Sequence, residues 1–174
     1  MATTALKIVS RVNDGSYAEY WTPGYVLDSV YQVLGKPVGL DPACNPGIPN
    51  VESEHYYKAS TDGLVWPWEA ETLFLNPPYG KHIGKWTGKL VQEYQAGHTK
   101  EAILLVPAKM EVKWVQPLLE YPVCFWKGRV WFETPFGKTP QTQQLFGSAL
   151  FYFGKRVERF VEVFGSKGKI MLPW

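Results

Sequence analysis

The chain has 174 residues, of which 45% are hydrophobic and 20% charged, a composition that fits one globular domain with a sizeable core. The formal net charge of +2 does not by itself indicate a polyanionic partner, because the distribution of charge matters more than its total. No apolar stretch reaches the ~20 residues of a membrane helix. The N-terminus lacks a signal-peptide pattern, so we expect a cytoplasmic protein.

The two cysteines, Cys44 and Cys124, have neither CxxC spacing nor a nearby histidine cluster. This pattern favours reduced thiols and predicts no metal site. Aromatic residues make up 16% of the chain, and such residues fill cores more often than they stack on bases.

Apolar periodicity and turn residues divide the chain into short elements. Residues 1–19 carry little periodic signal, and we expect them to be a loosely ordered segment before one domain over 20–174. Thr22 and Pro23 fit the N-cap and first position of a helix that ends at Gly35. Further helices are predicted after Tyr79, over 157–164 and, more weakly, within 110–119.

Short apolar runs predict strands at 38–41, 72–75, 102–106, 123–126, 130–132, 149–153 and 169–172. The segment 42–68 is rich in Pro, Asn, Gly and Ser and is predicted to be mostly loop. Strands that alternate with helices indicate an α/β fold, with a mostly parallel sheet flanked by helices.

Two predicted strands end in residues that suit a ligand site, which in such a sheet lies outside the carboxyl ends of the strands. The first end is LDPAC, residues 40–44, and the second is FLNPPY, residues 74–79. Asp41 suits a ligand amine or hydroxyl, although aspartate also commonly opens an Asp-Pro turn.

The NPPY sequence, Asn76 to Tyr79, supplies hydrogen-bond acceptors at the end of a strand. Its two prolines fix φ and remove two backbone donors. The exocyclic amine of adenine is a poor nucleophile, and two acceptors, the Asn76 side-chain oxygen and the Pro77 carbonyl, favour the pyramidal form whose lone pair can reach a methyl group. Tyr79 can stack on the flipped base. A tight turn with a core tyrosine is the structural alternative.

An ordered set of motifs resembles the phage-type DNA N-6-adenine methyltransferase (Dam) family over about residues 20–164. The motifs are YWTP (20–23), LDPAC (40–44), TDGL (61–64), FLNPPYGKHIGKW (74–86), LLVPAK (104–109) and KGRVWF (127–132). The resemblance implies a Rossmann-like methyltransferase fold, S-adenosylmethionine as the methyl donor and DNA adenine as the acceptor.

The resemblance also assigns site residues. It implies a catalytic loop of Asn76, Pro77, Pro78 and Tyr79. It implies a cofactor site that contains Asn76 and is lined by Trp21, Thr22, Pro23, Asp41, Pro42 and Ala43, with Asp62 accepting from the adenine amine of the cofactor. Asp62 also fits an ordinary turn in Ser-Thr-Asp-Gly. The glycine-rich turn of many methyltransferases is reduced to Gly47, and the carboxylate for the ribose is left open among Asp41, Glu52 and Glu54.

Basic residues near these motifs are candidates for DNA contacts. Lys81, Lys85 and Lys89 are spaced four apart and form one stripe on the helix after NPPY, a pattern that suits phosphates but is also common on a solvated helix face. Lys109 and Arg129 lie within segments that resemble the family, and Arg129 also suits an ion pair. Glutamine and threonine in the loop 136–146 can reach base edges.

Other functions use similar chemistry. Methylation of cytosine N4, RNA adenine or protein glutamine presents the same problem of a weak nucleophile, and a methyltransferase-like module that binds nucleic acid without turnover is a further alternative. The intact NPPY and its asparagine favour an adenine methyltransferase.

Overall fold

The computed structural model describes residues 21–44, 49–58, 62–133 and 146–173. Its helices within these ranges are α1 (Gly24–Leu34), α2 (Ile83–Gln95) and α3 (Val157–Phe164), with a short 3-10 helix at Gln116–Glu120. Its strands are β1 (Val38–Cys44), β2 (Ser53–Lys58), β3 (Ala70–Leu75), β4 (Thr99–Pro107), β5 (Val123–Trp126), β6 (Ser148–Phe153) and β7 (Gly168–Met171). None of the described helices is long and apolar enough to cross a membrane.

The described strands form one seven-stranded sheet in the order β2-β1-β3-β4-β6-β5-β7. β1 pairs in parallel with β2 and β3, and β3 pairs in parallel with β4. The pairings β4–β6, β6–β5 and β5–β7 are antiparallel. The α/β class is therefore confirmed, but the mostly parallel sheet is not, because half of the six pairings are antiparallel.

The predicted loop 42–68 is wrong in part, because it contains β2 and the end of β1. β2 has the sequence SEHYYK and no fully buried residue. It pairs only with β1 among the described strands, so it lies at a sheet edge and lacks the apolar run by which buried strands are recognised. The prediction missed it for that reason.

Three other expectations need correction. The segment 130–132 is not a strand, and its neighbour Glu133 forms an isolated β-bridge with Trp21. The weak helix within 110–119 is replaced by turns and the 3-10 helix. α1 begins at Gly24, with Pro23 as N-cap and without a side-chain cap from Thr22. The predictions for residues 1–19, for Gly47 and for 136–145 lie outside the described residues.

The core has two layers, one on each face of the sheet. On one face α1 and α3 pack together over Phe74, Ile103 and Leu150. On the other face α2 and the 3-10 helix cover Leu73, Leu75 and Leu104. The alternation of Leu73, Phe74 and Leu75 between the layers follows the two-residue period of a strand, so the next inward-facing residue toward α1 is Asn76.

A polar cluster joins β4 to β6 at the end of the sheet where the parallel strands begin, opposite the end at which Asn76 lies. The Tyr152 hydroxyl donates to the buried Glu101 carboxylate. Arg156 Nη2 lies 2.5 Å from Glu101 Oε2 and donates to the Val33 carbonyl at the end of α1, at 2.7 Å. The backbone N–H of Arg156 donates to the Tyr152 hydroxyl at 3.0 Å. The cluster thus connects α1, the sheet and the start of α3.

Tyr152→Phe is expected to lower the free energy of unfolding by about 1–3 kcal/mol, because it leaves the Arg156 N–H and the buried Glu101 carboxylate each one partner short. Urea unfolding measures the change. Glu162→Gln is the control, since it removes only the exposed Arg159–Glu162 ion pair and should cost at most about 1 kcal/mol. Equal stability of Tyr152→Phe and the wild type would show that the cluster contributes nothing.

Candidate active site

The strand order reverses between β1 and β3. From β1 the chain adds β2 on one side, and β3 then lies on the other side of β1. Leu40 on β1 is level with Leu73 on β3, so the carboxyl ends of the two strands lie side by side. Both predicted ligand segments, LDPAC and NPPY, therefore meet at the point where open α/β sheets bind ligands.

Asn76 is held by a residue far away in sequence. Its Nδ2 donates to Thr22 Oγ1 at 3.1 Å, across a separation of 54 residues. Thr22 is buried, with 1% of its surface exposed. This bond explains why Thr22 does not cap α1, and it leaves the Asn76 Oδ1 as an acceptor that is not used by Thr22.

The rest of NPPY packs against the protein. Pro77 is buried, Pro78 and Tyr79 are partly buried, and the Tyr79 ring meets Phe132 edge-on at 6.0 Å between centroids. The Tyr79 hydroxyl is buried and has no hydrogen-bond partner in the described ranges. Burial raises the pKa of this phenol above its usual value, so Tyr79 is neutral and is not a candidate base.

A second segment lies beside NPPY through backbone pairing. Trp21 N donates to the Glu133 carbonyl at 2.7 Å, and Glu133 N donates to the Trp21 carbonyl at 3.0 Å. This bridge holds YWTP next to KGRVWF and brings Phe132 to Tyr79. The Trp21 indole N–H is buried and without a partner among the residues described. From the KGRVWF segment, the sequence predicted only Arg129 as a site residue. Phe132, which packs on Tyr79, was not predicted.

Asp41 is a buried carboxyl at the end of β1, with 4% of its surface exposed. Its Oδ1 accepts from the Ala43 N–H at 3.1 Å, which is the local turn bond expected of Asp-Pro. Burial raises the pKa of Asp41 to about 7, although the Ala43 N–H acts in the opposite direction. Asp41 is therefore partly protonated near neutral pH.

The TDGL turn lies against the end of β1. A Cβ on Gly63 would stand 2.0 Å from the Pro42 carbonyl oxygen, so only glycine fits. Trp68 Nε1 donates to the Gly63 carbonyl at 2.7 Å, and the Trp68 ring stacks on Trp86 of α2 at 6.0 Å. These contacts fix the turn, and the preceding residue, Asp62, is held next to Pro42.

Asp62 itself has the turn geometry that its sequence also allowed. Its φ is +45°, a left-handed conformation in which aspartate is enriched. Its Oδ1 accepts from the Leu64 N–H at 3.2 Å. The side chain is exposed, so the second carboxylate oxygen can meet a ligand while the first closes the turn.

Glu52 and Glu54 lie at the start of β2. Because β2 is parallel to β1, Glu52 and Glu54 lie where these two strands begin, at the end of the sheet opposite the carboxyl end of β1. Glu52 also pairs with Lys36 at 3.0 Å. Of the three carboxylates left open for the ribose, only Asp41 is on the side of Asn76.

The predicted basic residues differ in their surroundings. Lys81 and Lys85 are exposed, whereas Lys89 Nζ is 2.7 Å from Glu93 Oε1 and lies over the Trp68 ring. Lys109 Nζ is 3.7 Å from the centroid of Phe146, and Arg129 is exposed. An open groove of about 420 Å³ runs along α2, lined by Leu64, Gly84, Lys85, Gly88, Lys89 and Gln92. The stripe is therefore not uniform, since Lys89 is engaged within the protein.

Thiol and metal chemistry find no support in the described ranges. Cys44 and Cys124 are buried thiols, and burial raises the pKa of each thiol to about 12, so neither forms a thiolate near neutral pH. No group of three or more His, Cys, Asp or Glu residues in those ranges could hold a metal ion.

Asp41→Asn tests the buried carboxyl through the pH dependence of stability. The folded-state pKa of about 7 exceeds the ordinary value of 3.8, so the folded protein binds more protons than the unfolded chain between these values. Asp41 therefore destabilises the wild type progressively as pH rises through this window. Asp41→Asn is expected to gain stability relative to wild type between pH 4 and 8, as measured by urea unfolding. A difference that does not change with pH would contradict the assignment.

Comparison with known proteins agrees with these motifs. No curated protein matches the chain at a significant level. The family model described as DNA N-6-adenine-methyltransferase (Dam) matches residues 10–169, which is nearly the whole chain. All predicted site residues fall within this matched range. The resemblance seen in the sequence is confirmed, and the chain belongs to the DNA N-6-adenine-methyltransferase (Dam) family.

Proposed function

We propose that this protein transfers a methyl group from S-adenosylmethionine to the N6 amine of adenine in DNA, at a site centred on Asn76. The observation that carries the proposal is the bond from Asn76 Nδ2 to Thr22 Oγ1. It uses the donor half of the carboxamide within the protein and leaves the acceptor half for the target. An amine that must be polarised without being ionised needs such an acceptor.

The residues at the switch point fit S-adenosylmethionine. The buried Asp41 carboxyl suits the amine or a hydroxyl of this ligand, and the Trp21 indole N–H is a buried donor without a partner in the described ranges. Asp62, held next to Pro42 by Gly63, would accept from the nucleoside part. When bound, the cofactor supplies an electrophilic methyl group.

Asn76 and Pro77 would act on the adenine amine by accepting one hydrogen bond from each of its two N–H groups. The Asn76 Oδ1 and the Pro77 carbonyl are neutral acceptors, so they orient the amine before transfer without removing a proton from it. N6 then releases one proton to solvent once the methyl group is bound. Two such bonds favour a pyramidal nitrogen with its lone pair directed toward the methyl group. Pro77 and Pro78 keep the backbone rigid, and because neither residue has a backbone N–H, neither brings a donor that would compete for the Pro77 carbonyl.

Base flipping would bring the adenine to this site, because the N6 atom of a paired adenine is not accessible for in-line transfer. Tyr79 is proposed to stack on the flipped ring. Tyr79 is partly exposed, and its ring lies nearly perpendicular to that of Phe132, a contact that would hold the Tyr79 ring in a fixed orientation. Tyr79 also packs against the core layer that α2 covers. Replacing it with Ala should therefore lower the stability of the fold as well as base binding.

A Rossmann-like relation for the fold is also part of the proposal. It is supported by the parallel unit β3-α2-β4 and by the reversal of strand order between β1 and β3, the arrangement of nucleotide-binding α/β folds. The antiparallel strands β5, β6 and β7 lie on the far side of β4 and take no part in this unit.

Phosphate contacts would come from the basic residues around the site. Lys81 lies two residues after Tyr79, Lys85 lines the groove on α2, and Lys109 follows the carboxyl end of β4. Arg129 is also expected to contact phosphate. Lys89 is expected to contribute less to phosphate binding, because its ammonium is already paired with Glu93.

Asn76→Ala is expected to lower methyl transfer to DNA by about 100-fold or more, the usual scale for one preorganised polar contact. Binding of S-adenosylmethionine, measured by calorimetry, should be retained. Turnover is compared at equal folded fraction, because the change also leaves the buried Thr22 hydroxyl without its Asn76 partner and so costs some stability. Asn50→Ala is the control, since Asn50 precedes β2 at the opposite edge of the sheet. Turnover of Asn76→Ala near that of wild type would contradict the proposal.

Thr22→Val and Thr22→Ser test whether Thr22 acts by orienting Asn76. Val keeps the shape but loses the hydroxyl, and kcat should fall several-fold, in keeping with the 0.5–1.5 kcal/mol of a typical hydrogen bond. Ser keeps the hydroxyl and should keep most of kcat. Both kcat values are compared at equal folded fraction. If the two variants have the same kcat, Thr22 is a packing residue only.

A further inference from the structure

Trp131 is an exposed tryptophan next to the candidate active site. Its exposed fraction is 51%. The next residue, Phe132, turns inward and packs on Tyr79, and the preceding residue, Val130, is 2% exposed and lies in the core. Trp131 therefore points to solvent one residue away from a contact with the NPPY loop.

The backbone around Trp131 is fixed on both sides. The Trp131 N–H donates to the Tyr25 hydroxyl at 2.9 Å, and the Tyr25 ring packs on Trp126 at 5.9 Å. Two residues further on, Glu133 makes the backbone bridge with Trp21. A single exposed aromatic side chain is ordinary in proteins. Trp131 differs because contacts on both sides fix its backbone, and because the next residue packs on Tyr79 of the candidate active site.

Trp131 shares a segment with two cations and is hydrogen-bonded to a second aromatic residue. Lys127 and Arg129 are exposed on the same segment, and Tyr25 is itself 43% exposed. Exposed aromatic rings beside cations are the surface that nucleic-acid bases and phosphates require, because the rings stack on bases and the cations follow the backbone.

We propose that Trp131 is a DNA-contact residue that stacks on a nucleobase next to the target adenine. The inference rests on the proposed function. When the adenine leaves the helix, the faces of its neighbours lose their stacking partner, and an aromatic side chain at the mouth of the site can cover one of them. Apolar side chains that enter between base steps play this part in other DNA-binding proteins.

The experiment measures the affinity of the protein for duplex DNA by fluorescence anisotropy, with mixed-sequence duplexes of about 20 base pairs as probe and S-adenosylmethionine present. Trp131→Ala is expected to weaken binding roughly 5- to 150-fold, the range that corresponds to the usual strength of base–aromatic stacking. Trp131→Phe keeps a flat ring and should retain most of the affinity. Thermal melting should be the same for all variants, because the side chain is exposed.

Trp66→Ala is the matched control. Trp66 is 52% exposed, almost the same as Trp131. It stands two residues before Trp68 of the core layer that α2 covers, whereas Trp131 follows Val130 of the core layer that α1 covers. The affinity of this variant for DNA should equal that of wild type.

A second readout locates the contact directly. Duplexes that carry 5-iodouracil in place of thymine are irradiated in the complex, and the cross-linked peptide is identified by mass spectrometry. We expect the cross-link on Trp131 and its loss in Trp131→Ala. Equal affinities of Trp131→Ala and Trp66→Ala, with a wild type that binds and methylates DNA, would overturn the stacking role alone. A wild type that binds no DNA would overturn both this inference and the proposed function.

Discussion

The hydrogen bond between Asn76 Nδ2 and Thr22 Oγ1 is the constraint on which the rest of the site depends. It requires β3 to end beside the segment that precedes α1, so α1 must pack on the face of the sheet that Phe74 also faces. It also sets the orientation of the carboxamide, since the amide group is turned toward Thr22. The carbonyl oxygen then becomes the part of Asn76 that a ligand can use.

Two sets of contacts support this bond from opposite sides. On the α2 side, Trp68 and Trp86 hold Gly63 against Pro42, so the TDGL turn stays next to the end of β1. On the α1 side, the bridge between Trp21 and Glu133 brings Phe132 to Tyr79. The site thus draws on both core layers, and small polar residues at its centre are positioned by large aromatic residues at its edges.

The sequence predicted the parts of the site that depend on local rules. Short apolar runs gave β3 and β4, and their ends gave LDPAC and NPPY as ligand segments. It could not give the partner of Asn76, because a threonine before a proline has the same local signal as a helix cap, whereas the observed bond joins residues 54 positions apart. β2 escaped because an exposed edge strand lacks an apolar run. The antiparallel half of the sheet was not predicted, because strand order and direction are set by pairing between distant segments such as β4 and β6.

Identification of the methylated product tests the central claim, that the Asn76 site acts on the exocyclic amine of DNA adenine. The wild-type protein is incubated with labelled S-adenosylmethionine and with DNA, RNA or protein in parallel, and the labelled products are hydrolysed and separated. We expect N6-methyladenine from DNA as the labelled product. Label in N4-methylcytosine, in RNA or in protein, with none in DNA adenine, would contradict it.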